Sequence, residues 1–400
     1  MTGVLNLSVS FIFSFLMTKE EYGNYTYWLS IYLLFLNFLP FGGVAAVTVF
    51  RFSISSKRYN RVLYSLLFFI LPLSLVIAIL ALYVKSLIYS PNSQMELLAV
   101  ISAFFYSYCL ILLAILRVEQ EFKGYSMFFI CCIGFLSFSQ LGFYLFFESF
   151  KSAIYGHTLA MAIFGCFAKV ILSKKFNFKL EIHHYVLAFR KITYLVKYGM
   201  PIVLGSVMMS FMVVGDKIMI KAAISEHEMG VYSSIAVVCS TTLFLVNNFA
   251  AAWSGYLSKN LANKSSIDSK IFFLKYQKKI FPVSVVLSIL TICVQTALYS
   301  LLYGFGSIKY LYVVIFLSLG YCVYGVSKFY VGFLMFYRFN DRILKATAAS
   351  VLFLIMIFSL EFGEPVIRYA VGVFMAFFLQ LLFLIYFVNK LMLNKEDYVL

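Results

Sequence analysis

The stretch "EEYGNY" (Glu20–Tyr25) decides the reading, because it returns in the second half of the chain as "HEMGVY" (His227–Tyr232). Glu21, Gly23 and Tyr25 thereby reappear as Glu228, Gly230 and Tyr232. An acidic-x-Gly-x-Tyr turn written once in each half is what a duplicated fold leaves behind. The composition on either side of it says what kind of fold that is.

Of the 400 residues, 63% are hydrophobic and 12% charged, and the mean hydropathy is +0.94. Soluble domains are roughly 45–50% apolar and about 25% charged, so this chain belongs in a bilayer. Apolar runs of about 20 residues, enough to cross a hydrocarbon core about 30 Å thick, recur along the whole length. The alternating segments of about 10 residues that a membrane barrel needs are missing, so helices must satisfy the backbone. Twelve spans are expected, at 4–17, 25–50, 62–84, 97–116, 127–147, 154–172, 200–220, 231–253, 280–302, 311–337, 346–360 and 366–388. The first is short and carries Asn6, Ser8, Ser10 and Ser14. With no basic segment ahead of it, it is expected to stay in the chain rather than be cleaved as a signal peptide. Pro40 and Pro72 are expected to kink the second and third spans.

Basic residues then orient the chain. With both termini cytoplasmic, the inner loops and tail hold 23 of the 32 Lys and Arg, and the outer loops hold five: Lys19, Lys85, Lys151, Lys309 and Arg368. The other four, Lys169, Lys217, Lys221 and Lys328, lie in or beside spans. That asymmetry obeys the positive-inside rule, and it accounts for a net charge of +16 without nucleic acid as a partner. The two copies of the turn then sit in short outer loops, before the second and the eighth spans. An even offset keeps the topology, so the halves read as parallel repeats. Two pseudo-symmetric six-helix lobes are expected, 1–172 and 200–400, the latter with a short cytoplasmic tail, joined by a basic cytoplasmic linker, 173–199. In the linker Lys174, Lys175, Lys179, Arg190, Lys191 and Lys197 interleave with Tyr185, Leu187, Phe189 and Leu195. It reads either as an amphipathic strip on the anionic inner surface or as a solvated loop.

These residues carry a resemblance. The repeated turn after a short first helix, a second helix closing on "GGVAAVTVFR" (Gly42–Arg51), and a seventh, "YGMPIVLGSVMMSFMVVGDKIMIK" (Tyr198–Lys221), followed by "EMGVY", resemble the polysaccharide transporter family. That family includes the O-antigen flippases of the multidrug/oligosaccharidyl-lipid/polysaccharide (MOP) exporter superfamily. The resemblance implies an all-α membrane protein of MATE type, its two lobes set around a central cavity. It implies alternating-access transport of a polyprenyl-diphosphate-linked oligosaccharide from the inner to the outer leaflet of the bacterial inner membrane. The implied partners are that lipid-linked substrate, membrane lipids and other polysaccharide assembly proteins. No cofactor is expected.

Such a cargo asks for cations toward the diphosphate, aromatic and hydroxyl groups toward sugar, and an ionisable group for coupling. Ionisable residues inside a membrane are functional candidates by default. Lys328 leads them. It lies ten residues before Arg338, about 15 Å in from the cytoplasmic end and near the midplane, and shares a helical face with Tyr321, Tyr324, Gly325 and Gly332. Those glycines are expected to leave room around the ammonium. The competing reading is a lysine snorkelling to the inner interface. Asp216 could take up a proton or sodium ion, or pair structurally with Lys217, itself a candidate for the substrate. Arg51 suits a diphosphate waiting at the entrance, or positive-inside anchoring. The seven Cys and four His show no metal-ligand spacing, and no G-x-x-x-x-G-K-[ST] motif exists for ATP hydrolysis.

Two other classes compete with a flippase. An O-antigen polymerase would carry one large outer loop, whereas the longest here reads as about a dozen residues. A drug or cation exporter of the same superfamily would line its cavity with acids, yet Asp216 is the one acid inside a span.

Overall fold

A computed structural model describes residues 2–53, 55–89, 93–176, 182–261, 266–303, 308–337, 339–360 and 363–393, all in helices and short connections. They form two compact units, Met1–Ser210 and Phe211–Leu400. The first holds α1 (Thr2–Leu16), α2 (Lys19–Phe38), α3 (Gly43–Ser53), α4 (Ser56–Ser65), α5 (Leu71–Tyr89), α6 (Ser93–Val118), α7 (Phe122–Phe147) and α8 (Phe150–Lys175). The boundary falls inside α9 (Ile182–Ala223). The second unit continues with α10 (Glu226–Leu261), α11 (Ser266–Tyr303), α12 (Ile308–Phe336), α13 (Asn340–Ser359) and α14 (Pro365–Leu393).

Ten of the described helices are long and apolar enough to cross a membrane. The two remaining spans of the sequence reading, 4–17 and 25–50, correspond to α1 and to α2 followed by α3. The latter is interrupted rather than kinked. Pro40 ends the helical run, and the chain turns through Phe41 and Gly42 at φ 47° and 69° before α3 starts. Gly42 meets Gly199 of α9 backbone to backbone; a Cβ on Gly199 would lie 2.5 Å from the Phe41 carbonyl oxygen. Pro72 acts differently. The preceding residues, Leu66–Ile70, widen into a π-helical turn that joins α4 to α5, because the proline ring crowds the carbonyl four residues back and supplies no N–H.

The repeated stretch is not loop. Glu20–Tyr25 lies in the opening turns of α2, where the Thr18 hydroxyl accepts from the Glu21 N–H at 3.2 Å and the Glu21 carboxylate accepts from the Thr18 N–H at 3.2 Å. This is a complete capping box. At the start of α10 the Ser225 hydroxyl accepts from the Glu228 N–H at 3.1 Å. The duplicated signal is therefore longer than its letters suggested: Thr or Ser three residues before Glu, then Gly, then Tyr. Packing repeats with it. In the first unit α6 is the hub, packed on α2, α5, α7 and α8; in the second α12 packs on α10, α11, α13 and α14.

α9 is one continuous helix of 42 residues, and its first part, 182–199, takes in the latter part of the linker read at 173–199. Residues 177–181, with Lys179, and the side chains of 182–198, with Arg190, Lys191 and Lys197, lie outside the described residues. Of the roughly dozen residues read as an outer loop, those up to Tyr89 belong to α5 and those from Ser93 to α6, and 90–92 lie outside the described residues.

Candidate functional site

In the second unit Lys328 stands on α12, eight residues, or about 12 Å, from a helix end at Phe336. It therefore lies to one side of the midpoint of a helix of 29 residues, about 44 Å long, rather than at it. Its side chain does not reach for the nearer end. The ammonium turns back one turn to sit 4.5 Å from the centroid of the buried Tyr324 ring, which packs 4.9 Å from Phe377. Helical side chains lean toward the N-terminus, and a cation over an aromatic face is attracted to it. Among the described residues no carboxylate pairs with Lys328. The glycines do not open space beside it, contrary to the sequence reading. A Cβ on Gly325 would lie 2.7 Å from Val246, and one on Gly332 3.5 Å from Trp253. Both instead admit α10 against α12, a common use of small residues between membrane helices.

Asp216, Lys217 and Tyr321 form a second group. The Asp216 side chain is fully buried, accepts from the Tyr232 hydroxyl at 2.6 Å, and has Tyr321 within electrostatic reach. Lys217 lies 3.7 Å from the same carboxylate and donates to the Val213 carbonyl at 3.4 Å. Tyr321 also packs 6.4 Å from the Phe377 ring that Tyr324 meets, so it lies between the Asp216 group and Lys328. Nearby, Gln295 of α11 donates to Thr241 and Thr242 of α10 at 2.9 and 2.7 Å and accepts from Ser318 of α12. That side-chain amide joins three helices where lipid offers no alternative partner.

Arg51 lies in the first unit, at the end of α3, and is engaged. It pairs with Glu119 at 3.2 Å and lies over the Tyr59 ring. In the interior of that unit the Tyr25 hydroxyl donates to Gln140 at 2.9 Å, and the Gln140 amide donates to His157 Nδ1 at 2.7 Å. An accepting Nδ1 places the imidazole proton on Nε2, which finds no partner among the described residues. The His157 ring meets Trp28 and Tyr32 edge-on, each at 4.9 Å. Each copy of the repeated tyrosine thus anchors a buried polar group, Gln140 in one unit and Asp216 in the other. The repeat pointed to these tyrosines, but nothing in the sequence pointed to their partners.

A polysaccharide biosynthesis protein family matches residues 12–306, most of the chain. The chain belongs to that family. As a polysaccharide biosynthesis protein it shares its fold with solved MOP-superfamily structures. The lipid II flippase MurJ in an inward closed conformation superposes with a TM-score of 0.74 at 15% identity, over 97% of this chain and 86% of that one. An inward-facing multidrug resistance MATE family transporter of the MOP superfamily gives 0.67 at 12% identity, over 98% and 94%. An outward-facing MATE family transporter gives 0.61 at 14% identity, over 98% and 91%. At these identities the likeness speaks to fold alone. No protein of curated function matches the sequence.

Proposed function

We propose that this polysaccharide biosynthesis protein is a flippase. It moves a polyprenyl-diphosphate-linked oligosaccharide, the repeat unit of O-antigen or a related surface polysaccharide, from the inner to the outer leaflet of a bacterial inner membrane, with both termini cytoplasmic. The observation that carries the reading is the direction of Lys328. A lysine in a membrane helix costs up to about 2.5–3.5 kcal/mol on insertion scales, most at the centre, and a snorkelling lysine recovers part of this by reaching the nearer interface. Lys328 points the other way, toward Tyr324, with no described carboxylate to neutralise it. An ammonium held over an aromatic ring inside a membrane fits a transported anion beside a sugar. Asp216, screened by Tyr232 and Lys217, suits coupling to a proton or sodium ion better than contact with a cationic drug.

The test is surface glycan display in a strain lacking every other flippase. Lys328→Ala is expected to abolish display while the protein stays in the membrane at normal levels, and Lys328→Arg to keep part of it. Full display by Lys328→Ala would leave Lys328 as a membrane anchor and remove the main support for the reading.

A further inference from the structure

One end of the first unit gathers three charged side chains and a tyrosine from four separate elements. Arg51 closes α3, Tyr59 lies on α4, Lys175 ends α8, and Glu119 caps α6. The α6 cap is a fixed one. The Glu121 N–H bonds the Leu116 carbonyl at 2.9 Å and the Gln120 N–H that of Arg117 at 3.2 Å, with Gln120 in the left-handed region at φ 59°. A carboxylate at this position opposes the helix dipole. Glu119 nevertheless stays, and is only 14% exposed, because one oxygen meets Arg51 at 3.2 Å and the other meets Lys175 at 2.6 Å. Lys175 also pairs with Glu121.

Tyr59 supplies an independent observation. It is 1% exposed, the Arg51 guanidinium lies 5.3 Å from its ring centroid, and both Arg51 and Glu119 are within electrostatic reach of its hydroxyl. Among the described residues that hydroxyl has no hydrogen-bond partner. Buried hydroxyls are almost always bonded, so this one is a donor without its acceptor. Two cations bridged by the two oxygens of one anion, with a spare hydroxyl donor beside them, match the demands of a phosphate group more fully than those of a carboxylate.

We infer that Arg51, Lys175 and Tyr59 form a binding site for a phosphate or diphosphate group, in which Glu119 stands as a built-in competitor until the ligand displaces it. The choice of a lipid-borne diphosphate rests on the flippase reading; the anion site itself does not. An internal competitor would let the site hold its ligand briefly and pass it on.

The experiment measures binding of farnesyl diphosphate to the purified full-length chain in detergent, with inorganic diphosphate as a parallel probe. Glu119→Gln is expected to tighten farnesyl diphosphate binding, and Arg51→Gln and Lys175→Gln to weaken it, each by about ten-fold, the scale of one charge-assisted hydrogen bond. Tyr59→Phe is expected to weaken binding severalfold while its unfolding midpoint stays at or above that of the unaltered protein, since no bond in the unliganded protein is lost. Unchanged affinity in Glu119→Gln or in Tyr59→Phe overturns the site. Inorganic diphosphate binding as tightly as farnesyl diphosphate overturns the lipid-borne ligand. Glycan display by Lys328→Ala tests a different residue in the other unit, so the site and the flippase reading can fail separately.

Discussion

Tyr232 makes a hydrogen bond of 2.6 Å to a carboxylate with no access to solvent. Removing the hydroxyl leaves an acceptor that water cannot reach, at a cost of about 1–3 kcal/mol. Tyr232→Phe should lower the thermal unfolding midpoint of the purified protein, and Tyr232→Phe combined with Asp216→Asn should lose less than the sum of the two single changes, because the residues share one interaction. Strict additivity would mean that the pair is not coupled. At this scale the sequence was half legible. Asp216 and Lys328 stood out as charges in apolar runs, and Tyr25 and Tyr232 as repeated letters. The partners Gln140, Glu119 and Tyr59 did not, since hydropathy along one helix carries no record of which other helix a polar group faces. The two cations that hold Glu119 lie on helices far away in the sequence.

Helices assemble here through small residues and buried amides. On α8, a Cβ on Gly165 would lie 2.6 Å from the Phe105 carbonyl oxygen of α6, and one on Gly156 would lie 2.5 Å from that of Ser139 on α7. The obstacles are backbone atoms and cannot rotate aside, so adding a side chain must push helices apart, and overpacking of this kind costs about 1–3 kcal/mol. Gly165→Val should therefore lower the unfolding midpoint by several degrees, whereas Gly134→Ala, with nothing within 4 Å, should leave it unchanged. Equal midpoints for the two variants would contradict this packing. The helices themselves were legible from apolar runs alone, because a bilayer fixes both their length and their hydropathy. The break at 39–42 was not, since the apolar run continues through it; Pro40 and the pair Gly42–Gly43 were the only sign. The capping residues Thr18 and Ser225 were not legible either, because they stand ahead of the repeated stretches.

For the molecule as a whole, orientation is what the alternation of basic loops asserts and what labelling can decide. Contacts within each unit respect that alternation. Arg51, Glu119 and Lys175, from three connections assigned to the cytoplasm, meet one another. Lys85 pairs with Glu96, both assigned outside, and Lys309 with Glu228 and Glu364, also assigned outside. One helix miscounted between Arg51 and Glu119, between Glu119 and Lys175, or between Lys309 and either of its partners would place them on opposite faces of the membrane, where they could not touch; Lys85 and Glu96 flank one connection and test no crossing. The contacts support the order of crossings but are blind to which face is the cytoplasm; that rests on the excess of Lys and Arg. On a variant lacking the seven native cysteines, a membrane-impermeant thiol reagent applied from outside should label cysteines placed at Asn92 and Ser307 and spare those at Ser55 and Ser265. Labelling of Ser55 and Ser265 alone would invert the protein while preserving the helix count. Labelling of one position from each pair would break the six-helix offset, and with it the parallel repeat that the two copies of the Glu-x-Gly-x-Tyr signal announce.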